Sequence, residues 1–331
     1  MGYRDFLDAL GERESSGDYT VVNTFGYLGK YQFGELALID IGYYTADGTA
    51  KNDWQPGHWT GKDGIGSKAD FLASPEAQEN AIRAYMKLQW QYLGDTQRFA
   101  GQTIGGLKLT ESSLLAGAHL LGHGAVTTFL EGGAVSPPKD GYGTTITEYL
   151  TLFSGYKTPF RAVHSGAESI AGGPGADILR GRGGKDTLGG NDGDDTLKGG
   201  NGRDGLDGGP GSDLLDGGRG ADLLTGGADI DTFRFAGKLR KIGPDTIADF
   251  TPGEDVIALR QKTFKALDAG AIEPGVFRLG SVAKDGDDHI LYDPATGTLR
   301  YDKNGDKAGG VVTIAILDGQ PALTDGDVLV F

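Results

Sequence analysis

From Gly172 the chain repeats every nine residues: GGPGADILR, GRGGKDTLG, GNDGDDTLK, GGNGRDGLD, GGPGSDLLD, GGRGADLLT and GGADIDTFR follow one another without a gap. Position 6 is aspartate in all seven units, as Asp177, Asp186, Asp195, Asp204, Asp213, Asp222 and Asp231, and position 8 is Leu or Phe in all seven. The preceding VHSGAESIA keeps the phase weakly through Gly166, Glu168 and Ile170, as a degenerate capping unit would. A flexible Gly/Asp linker has no reason to hold a carboxylate and a large apolar residue in fixed phase through 63 residues. The phase instead predicts a short strand around position 8 with its apolar side chain turned inward. The glycines supply a tight turn whose backbone conformations are closed to other residues.

The pattern resembles the RTX nonapeptide GGxGxDxUx of parallel β-rolls. That resemblance implies two units per coil, so that units n and n+2 stack and Asp177 meets Asp195, Asp186 meets Asp204, and so on to Asp213 and Asp231. About five intercoil cation sites result. A hard cation held by carboxylates and carbonyls, with neither Cys nor His in the repeats, is expected to be calcium. The family's shared site takes carbonyls 2 and 4 and Asp 6 of one unit with carbonyls 1 and 3 and Asp 6 of the next but one. Carried over, the first site takes Gly173, Gly175, Asp177, Gly190, Asp192 and Asp195, and the second Arg182, Gly184, Asp186, Gly199, Asn201 and Asp204. The third takes Asn191, Gly193, Asp195, Gly208, Pro210 and Asp213; the fourth Gly200, Gly202, Asp204, Gly217, Arg219 and Asp222. The fifth takes Gly209, Gly211, Asp213, Gly226, Ala228 and Asp231.

Composition narrows the remainder. The 331 residues hold no cysteine, which excludes disulfide scaffolds, thiol nucleophiles and cysteine-based zinc sites. With 46 acidic against 31 basic residues the net charge is -15, which disfavours a nucleic-acid partner because phosphate binding needs clustered Lys and Arg. No 18-residue apolar run suggests a transmembrane segment, and MGYRDFLDALGERESSG lacks a secretory apolar core, so any export is expected to use another signal. Three domains are expected: residues 1–160, mainly helical; 161–234, the all-β roll; and 235–331, a β-rich cap.

In the cap, DTIADF, EDVIAL, HILYD, TLRYD and VVTIAIL are short apolar runs divided by Gly, Pro and Asp turns. IDTFRF, DTIADFTPGEDVIAL, GTLRYDKNGD and the terminal DGDVLVF together resemble the C-terminal region of serralysin-type proteins. The resemblance implies a secreted, extracellular protein whose partner is the type I secretion machinery, with Val328 to Phe331 also expected to form a last strand. It stops short of a protease: the histidines are His58, His119, His123, His164 and His289, and no HExxH occurs. Asp302, Asn304 and Asp306 resemble the start of an EF-hand, but position 12 would be Thr313, so a turn is expected.

In residues 1–160, Tyr3, Phe6, Leu7 and Leu10 recur at helical spacing, Ser74-Pro75 starts a second helix, Thr110 a third, and a shorter one runs from about Thr144 to Phe153. Residues 40–70 suggest a loop insertion. Glu14-Ser15-Ser16-Gly17, then Gly29-Lys30-Tyr31-Gln32-Phe33-Gly34, then AHLLGHGAV from Ala118, then Thr147-Glu148-Tyr149 resemble in order and spacing the soluble lytic transglycosylases and goose-type lysozymes. This implies a lysozyme-like fold and a glycan-cleaving enzyme whose substrate is peptidoglycan, cut at the β-1,4 bond between N-acetylmuramic acid and N-acetylglucosamine. Chitin or an exopolysaccharide is the alternative substrate, and a non-catalytic, calcium-stabilised surface or sugar-binding protein the alternative class. His119 and Leu120 depart from the family's Tyr and Asn.

Such chemistry needs a carboxylic acid that donates its proton to the glycosidic oxygen. A Glu at a helix C-terminus beside apolar walls suits it, and Glu14 is the expected general acid, with Glu12 as a solvated alternative. Ser15, Tyr31, Gln32, His119 and Tyr149 are the expected substrate-binding residues. A hydrolase would need a second carboxylate, for which Asp18, Glu35, Asp47, Asp53 and Asp63 are candidates; a transglycosylase would not. Trp54 and Trp59 could stack on sugars or pin their loop. A monomer is expected.

Overall fold

The computed structural model describes residues 1–49, 51–140, 143–160, 166–238 and 243–331. They form two compact units: Met1–Ala100 with Leu109–Thr128 and Pro137–Ala162, and Gly101–Lys108 with Phe129–Ser136 and Val163–Phe331. The expected boundary after residue 160 abuts residues 161–165, and it lies outside the described residues, as do His164 and the start of the capping unit.

In the second unit the nine-residue phase becomes two parallel sheets. Ile178–Gly183, Thr196–Asn201, Leu214–Arg219 and Thr232–Phe235 pair in one; Ser169–Ala171, Thr187–Gly189, Gly205–Pro210 and Leu223–Ala228 pair in the other. The register is set by position 8: Leu179 faces Leu197, which faces Leu215, which faces Phe233, and Leu188 faces Leu206 and then Leu224. All seven are 2% exposed or less, so alternate strands supply the two inner faces of one apolar core.

Both sheets continue beyond residue 234. Val256–Leu259 extends the first beside Thr232–Phe235 and is followed by Val328–Val330, the expected last strand. Asp245–Ile247 extends the second beside Leu223–Ala228 and is followed by Val311–Leu317, where the pairing turns antiparallel through Thr298–Asp302 and Ile290–Asp293. Asp302, Asn304 and Asp306 lie at and after the end of Thr298–Asp302, in the turn that leads to Val311–Leu317. At the other end a hairpin, Thr103–Ile104 and Leu107–Lys108, pairs antiparallel with the first coil through Thr103 and Ile178. Its two-residue turn, Gly105-Gly106, has both φ values positive, which glycine alone adopts without strain. Residues 101–108 and 129–136, within the expected helical span, thus fold with the roll.

The first unit has seven helices among the described residues. These are α1 (Tyr3–Ser15), α2 (Glu35–Asp40), α3 (Lys68–Ala73), α4 (Pro75–Leu93), α5 (Glu111–Leu121), α6 (His123–Glu131, whose last turn belongs to the second unit) and α7 (Ile146–Leu152). Ser74 and Thr110 cap α4 and α5 as expected, each accepting a backbone N–H three residues on. Helices α2 and α3 are short and escaped the periodicity, and Gly122, at φ +83°, splits α6 from α5 with a bend of 118°. Phe6, Leu7 and Leu10 turn the inner face of α1 into the core, with Phe6 edge-on to Phe153 at 5.8 Å. No single helix among the described residues is long and apolar enough to cross a membrane.

Candidate functional sites

In the helical unit Glu14 reaches its position because α1 ends at Ser15 with Ser16 in the left-handed conformation. Gly11 packs against the Lys30 side chain, and Ser15 Oγ donates to the Lys30 carbonyl at 2.8 Å, fastening α1 to the Gly29–Phe33 turn. From the other side, Gln78 of α4, fully buried, accepts the Lys30 N–H at 2.9 Å and donates to the Tyr19 and Phe71 carbonyls. A Cβ at Gly29 would stand 2.0 Å from Gln78 Oε1, so only glycine allows this approach.

Glu14 opens onto a cleft of about 990 Å³, lined also by Phe25, Tyr27, Gln32, Asp53, His119 and Leu120. Tyr149, buried on α7, donates its hydroxyl hydrogen bond to Glu14 Oε1. Burial, and then the Glu14 charge, push the Tyr149 phenol above its ordinary value, so it stays a donor. Burial holds the His119 imidazole below its ordinary value, against the opposing pull of Glu14 and of the Tyr31 backbone. Gln32 lines the cleft with φ +49°, its side chain donating to the Gly29 carbonyl.

Five expected residues therefore surround one place: Glu14, Gln32 and His119 line the cleft, Tyr149 contacts Glu14, and Ser15 supports the backbone behind it. Tyr31 is placed differently from its expected contact with substrate. It is fully buried and donates to Glu79 Oε1 at 2.6 Å, in a network where Lys30 also meets Glu79 and Asp8. Lys30 and Tyr31 are both buried at this turn. Glu12 is exposed and absent from the cleft lining.

Among the candidates for a second carboxylate, Asp53 lines the cleft and lies with Glu35 and Asp47, their oxygens within 4.8 Å of one another. Glu35 is buried and raised above its ordinary value, first by desolvation and then by Asp47 and Asp53, although the Trp54 N–H donates to it at 2.5 Å. Asp63 accepts from Tyr43, and Asp18 from Thr20. Trp54 and Trp59 stack on one another at 5.6 Å and flank Tyr44, so they pin the loop, while Trp54 Nε1 donates to the Gly26 carbonyl beside the cleft.

In the roll the position 6 aspartates form two ladders. Each accepts at Oδ1 the backbone N–H of the aspartate one coil before: Asp177 to Asp195, Asp186 to Asp204, Asp195 to Asp213, Asp204 to Asp222 and Asp213 to Asp231, all at 2.7–2.9 Å. The other oxygens of Asp195, Asp204, Asp213 and Asp222 are buried without a hydrogen-bond donor. They point into the glycine turns: a Cβ at Gly190 would stand 2.1 Å from Asp195 Oδ2 and 2.4 Å from the Gly208 carbonyl oxygen, and Gly208 faces Asp213 Oδ2 and the Gly226 carbonyl likewise.

Each such turn is thus a cradle closed to side chains and lined by oxygen from two successive coils, the donor set a calcium ion takes. Burial pushes the carboxyls of Asp195, Asp204 and Asp231 up to about 6 and that of Asp213 to about 7, with neighbouring carboxylates adding to it against the pull of the backbone hydrogen bonds. A divalent cation would reverse that penalty. Sequence reading missed Asp245 and Asp255, which extend the two ladders by accepting from the Asp222 and Asp231 N–H groups. The D-x-Ile spacing in DTIADF and EDVIAL is the signal for them.

No curated protein matches the chain. A solution structure of the AlgE6R3 subunit of the Azotobacter vinelandii mannuronan C5-epimerase is similar to it at 24% identity, over 52% of this chain and 82% of that one, with a TM-score of 0.30. The RTX calcium-binding nonapeptide repeat family matches residues 164–197 and 198–233. Repeats of this kind are typical of secreted proteins, and residues 164–233 of this chain are RTX calcium-binding repeats whose turns present the oxygen cradles that the ion requires.

Proposed function

We propose that the chain is a secreted, calcium-stabilised peptidoglycan glycosidase, with a lysozyme-like helical domain that cleaves the β-1,4 bond after N-acetylmuramic acid. The observation that carries this reading is the meeting of Glu14 and Tyr149, 135 residues apart, at a cleft wide enough for a glycan. Tyr149 occupies Glu14 Oε1, leaving the other carboxyl oxygen to hold a proton for the glycosidic oxygen. As the bond breaks, Glu14 gives up that proton and the Tyr149 hydrogen bond stabilises the carboxylate left behind. Phe25 and Tyr27, substantially exposed on the cleft wall, offer apolar faces to sugar rings. Attack by a substrate hydroxyl on the same carbon, its proton returning to the Glu14 carboxylate, completes a transglycosylase reaction; attack by water on the opposite ring face completes hydrolysis, with Asp53, which lines the cleft, taking the proton of the water.

In this reading about five calcium ions fold the roll once the chain has left a calcium-poor cytosol, the type I secretion machinery having exported it unfolded as a monomer. Mass analysis of peptidoglycan digests tests the enzyme. The full chain should release muropeptides, with 1,6-anhydro ends if it is a transglycosylase, and Glu14→Gln should release none while keeping its circular dichroism. Equal product from Glu14→Gln would sink the assignment. Product from chitin oligomers alone would move the substrate, and glycan binding without product would make the chain a lectin-like protein.

A further inference from the structure

Each aspartate of the two ladders takes a backbone N–H from the coil before it, so the first aspartate of each ladder needs a donor from outside the repeats. For Asp186 the donor is the capping unit, whose Glu168 N–H meets Asp186 Oδ1 at 2.8 Å. For Asp177 it is the hairpin of Thr103–Ile104 and Leu107–Lys108. The Gly105 N–H donates to Asp177 Oδ1 at 2.7 Å, just as the Asp177 N–H donates to Asp195 Oδ1.

The first coil is fitted to this hairpin. The Arg180 N–H donates to Gln102 Oε1 at 2.7 Å and the Arg180 carbonyl accepts from Gln102 Nε2 at 2.9 Å, so a side-chain amide stands in for a neighbouring strand. Arg180 Nη1 donates to the Gly101 carbonyl at 2.6 Å. Arg182, the one arginine at position 2 of a repeat, brings its guanidinium so close to Gly101 that a Cβ there would meet it at 2.7 Å. Gln102 and Ile104 are fully buried. Gly133 packs backbone to backbone on the first glycine turn, its carbonyl oxygen 2.3 Å from where Gly173 would carry a Cβ.

The segments that make these contacts are spliced between helices. The chain leaves the helical unit after Ala100 and again after Thr128, and returns at Leu109 and Pro137. Residues 101–108 therefore separate α4 from α5, and residues 129–136 begin with the last turn of α6, where Phe129 and Leu130 are buried. The α5 helix carries His119 and Leu120 on the cleft.

We propose that the first coil of the roll is a calcium-operated clasp on α5 and α6: ion binding fixes the coil, the coil fixes the hairpin and residues 129–136, and these hold the start of α5 and the end of α6. Without calcium at neutral pH the roll's carboxylates repel one another and the stack opens. The hairpin then loses Asp177, Arg180 and the Ile178–Gly183 strand together, and the freed residues add slack on both sides of α5. An ion that binds only the stacked coils shifts the population back to the closed arrangement. The proposal rests on the calcium reading of the repeats and is independent of the glycan reading of the cleft.

Hydrogen–deuterium exchange of the full chain, in EDTA and in saturating calcium at neutral pH, tests it. In wild type, calcium should slow amide exchange by roughly tenfold or more across residues 111–131 as well as in the hairpin and the roll. Gln102→Leu keeps the bulk and removes both backbone hydrogen bonds to Arg180. In this variant calcium should still protect the roll, while residues 111–131 should keep the fast exchange of calcium-free wild type. Equal exchange of 111–131 in EDTA and in calcium, with the roll responding, would overturn the proposal, and so would a full calcium response of 111–131 in Gln102→Leu. Should the roll of the variant fail to fold, the wild-type comparison decides: slowed exchange supports the clasp and equal exchange overturns it. A wild-type chain that responds to calcium nowhere would overturn the clasp together with the calcium reading of the repeats.

Discussion

The backbone N–H of Asp177 donates to Oδ1 of Asp195, eighteen residues further on, at 2.7 Å. One carboxylate thereby satisfies the coil before it with one oxygen and keeps the second for its own turn. Repeated at Asp186 and Asp204, at Asp195 and Asp213, and onward, this contact couples the stacking of coils to the aiming of charge. The same residue that sets the register also creates the need for a cation.

The cradle is sensitive to a single methyl group. In Gly190→Ala the new Cβ would meet Asp195 Oδ2 at 2.1 Å and the Gly208 carbonyl at 2.4 Å, whereas one at Gly189 meets nothing within 4 Å. Overpacking of this kind costs about 1–3 kcal/mol; spread over about five ions bound on folding, that cost should make Gly190→Ala need roughly 1.5- to 3-fold more calcium to fold, and Gly189→Ala should resemble wild type. Calcium titrations followed by circular dichroism of the full chain check the pair.

Proton and calcium compete in the roll. The carboxyls of Asp195, Asp204, Asp213 and Asp231 are raised to about 6–7 in the fold, against about 3.9 in an unfolded chain. Between these values the folded roll binds more protons than the unfolded chain, so in EDTA its stability is highest in acid and falls as pH rises through 6–7. Calcium must displace those protons, and its apparent affinity should therefore increase over the same window. Titrations at pH 5.5 and 7.5 giving equal midpoints would contradict this.

Leu215 lies between Leu197 and Phe233 in its sheet and is fully buried. Its replacement by alanine removes packing on both neighbours at once, and Leu215→Ala should cost about 2–5 kcal/mol. Denaturant unfolding in saturating calcium measures the loss, which should appear in the β signal of the roll.

Tyr149→Phe removes the hydroxyl that contacts Glu14 and keeps the ring against Phe153 at 5.5 Å. A hydrogen bond to a charged group contributes about 1.5–3 kcal/mol, so turnover on peptidoglycan should fall roughly 10- to 100-fold with KM little changed. A wild-type rate would separate Tyr149 from the chemistry.

What could be read in advance differs between the halves of the chain for a physical reason. In the roll each contact is local and repeated, so one period announces strand, turn, core residue and ligand together; Leu188 and Asp186 needed no partner to be found. The continuation through Asp245 and Asp255 lost its glycines and kept only a D-x-Ile trace, which hid it. In the helical unit the motif at the end of α1 and a late one pointed to Glu14 and Tyr149, which the fold brings into contact. The roles of Gln78, Lys30 and Glu79 were not, because each contact in that network joins residues 22 to 49 positions apart and no period links them. The sequence by itself thus determined a stacked, carboxylate-lined roll, since its information lies in spacing along the chain. Only the tertiary structure decided that Tyr31 turns inward while Gln32 lines the cleft, and that Tyr149 meets Glu14, because packing between distant segments chooses which side chain of a turn faces solvent.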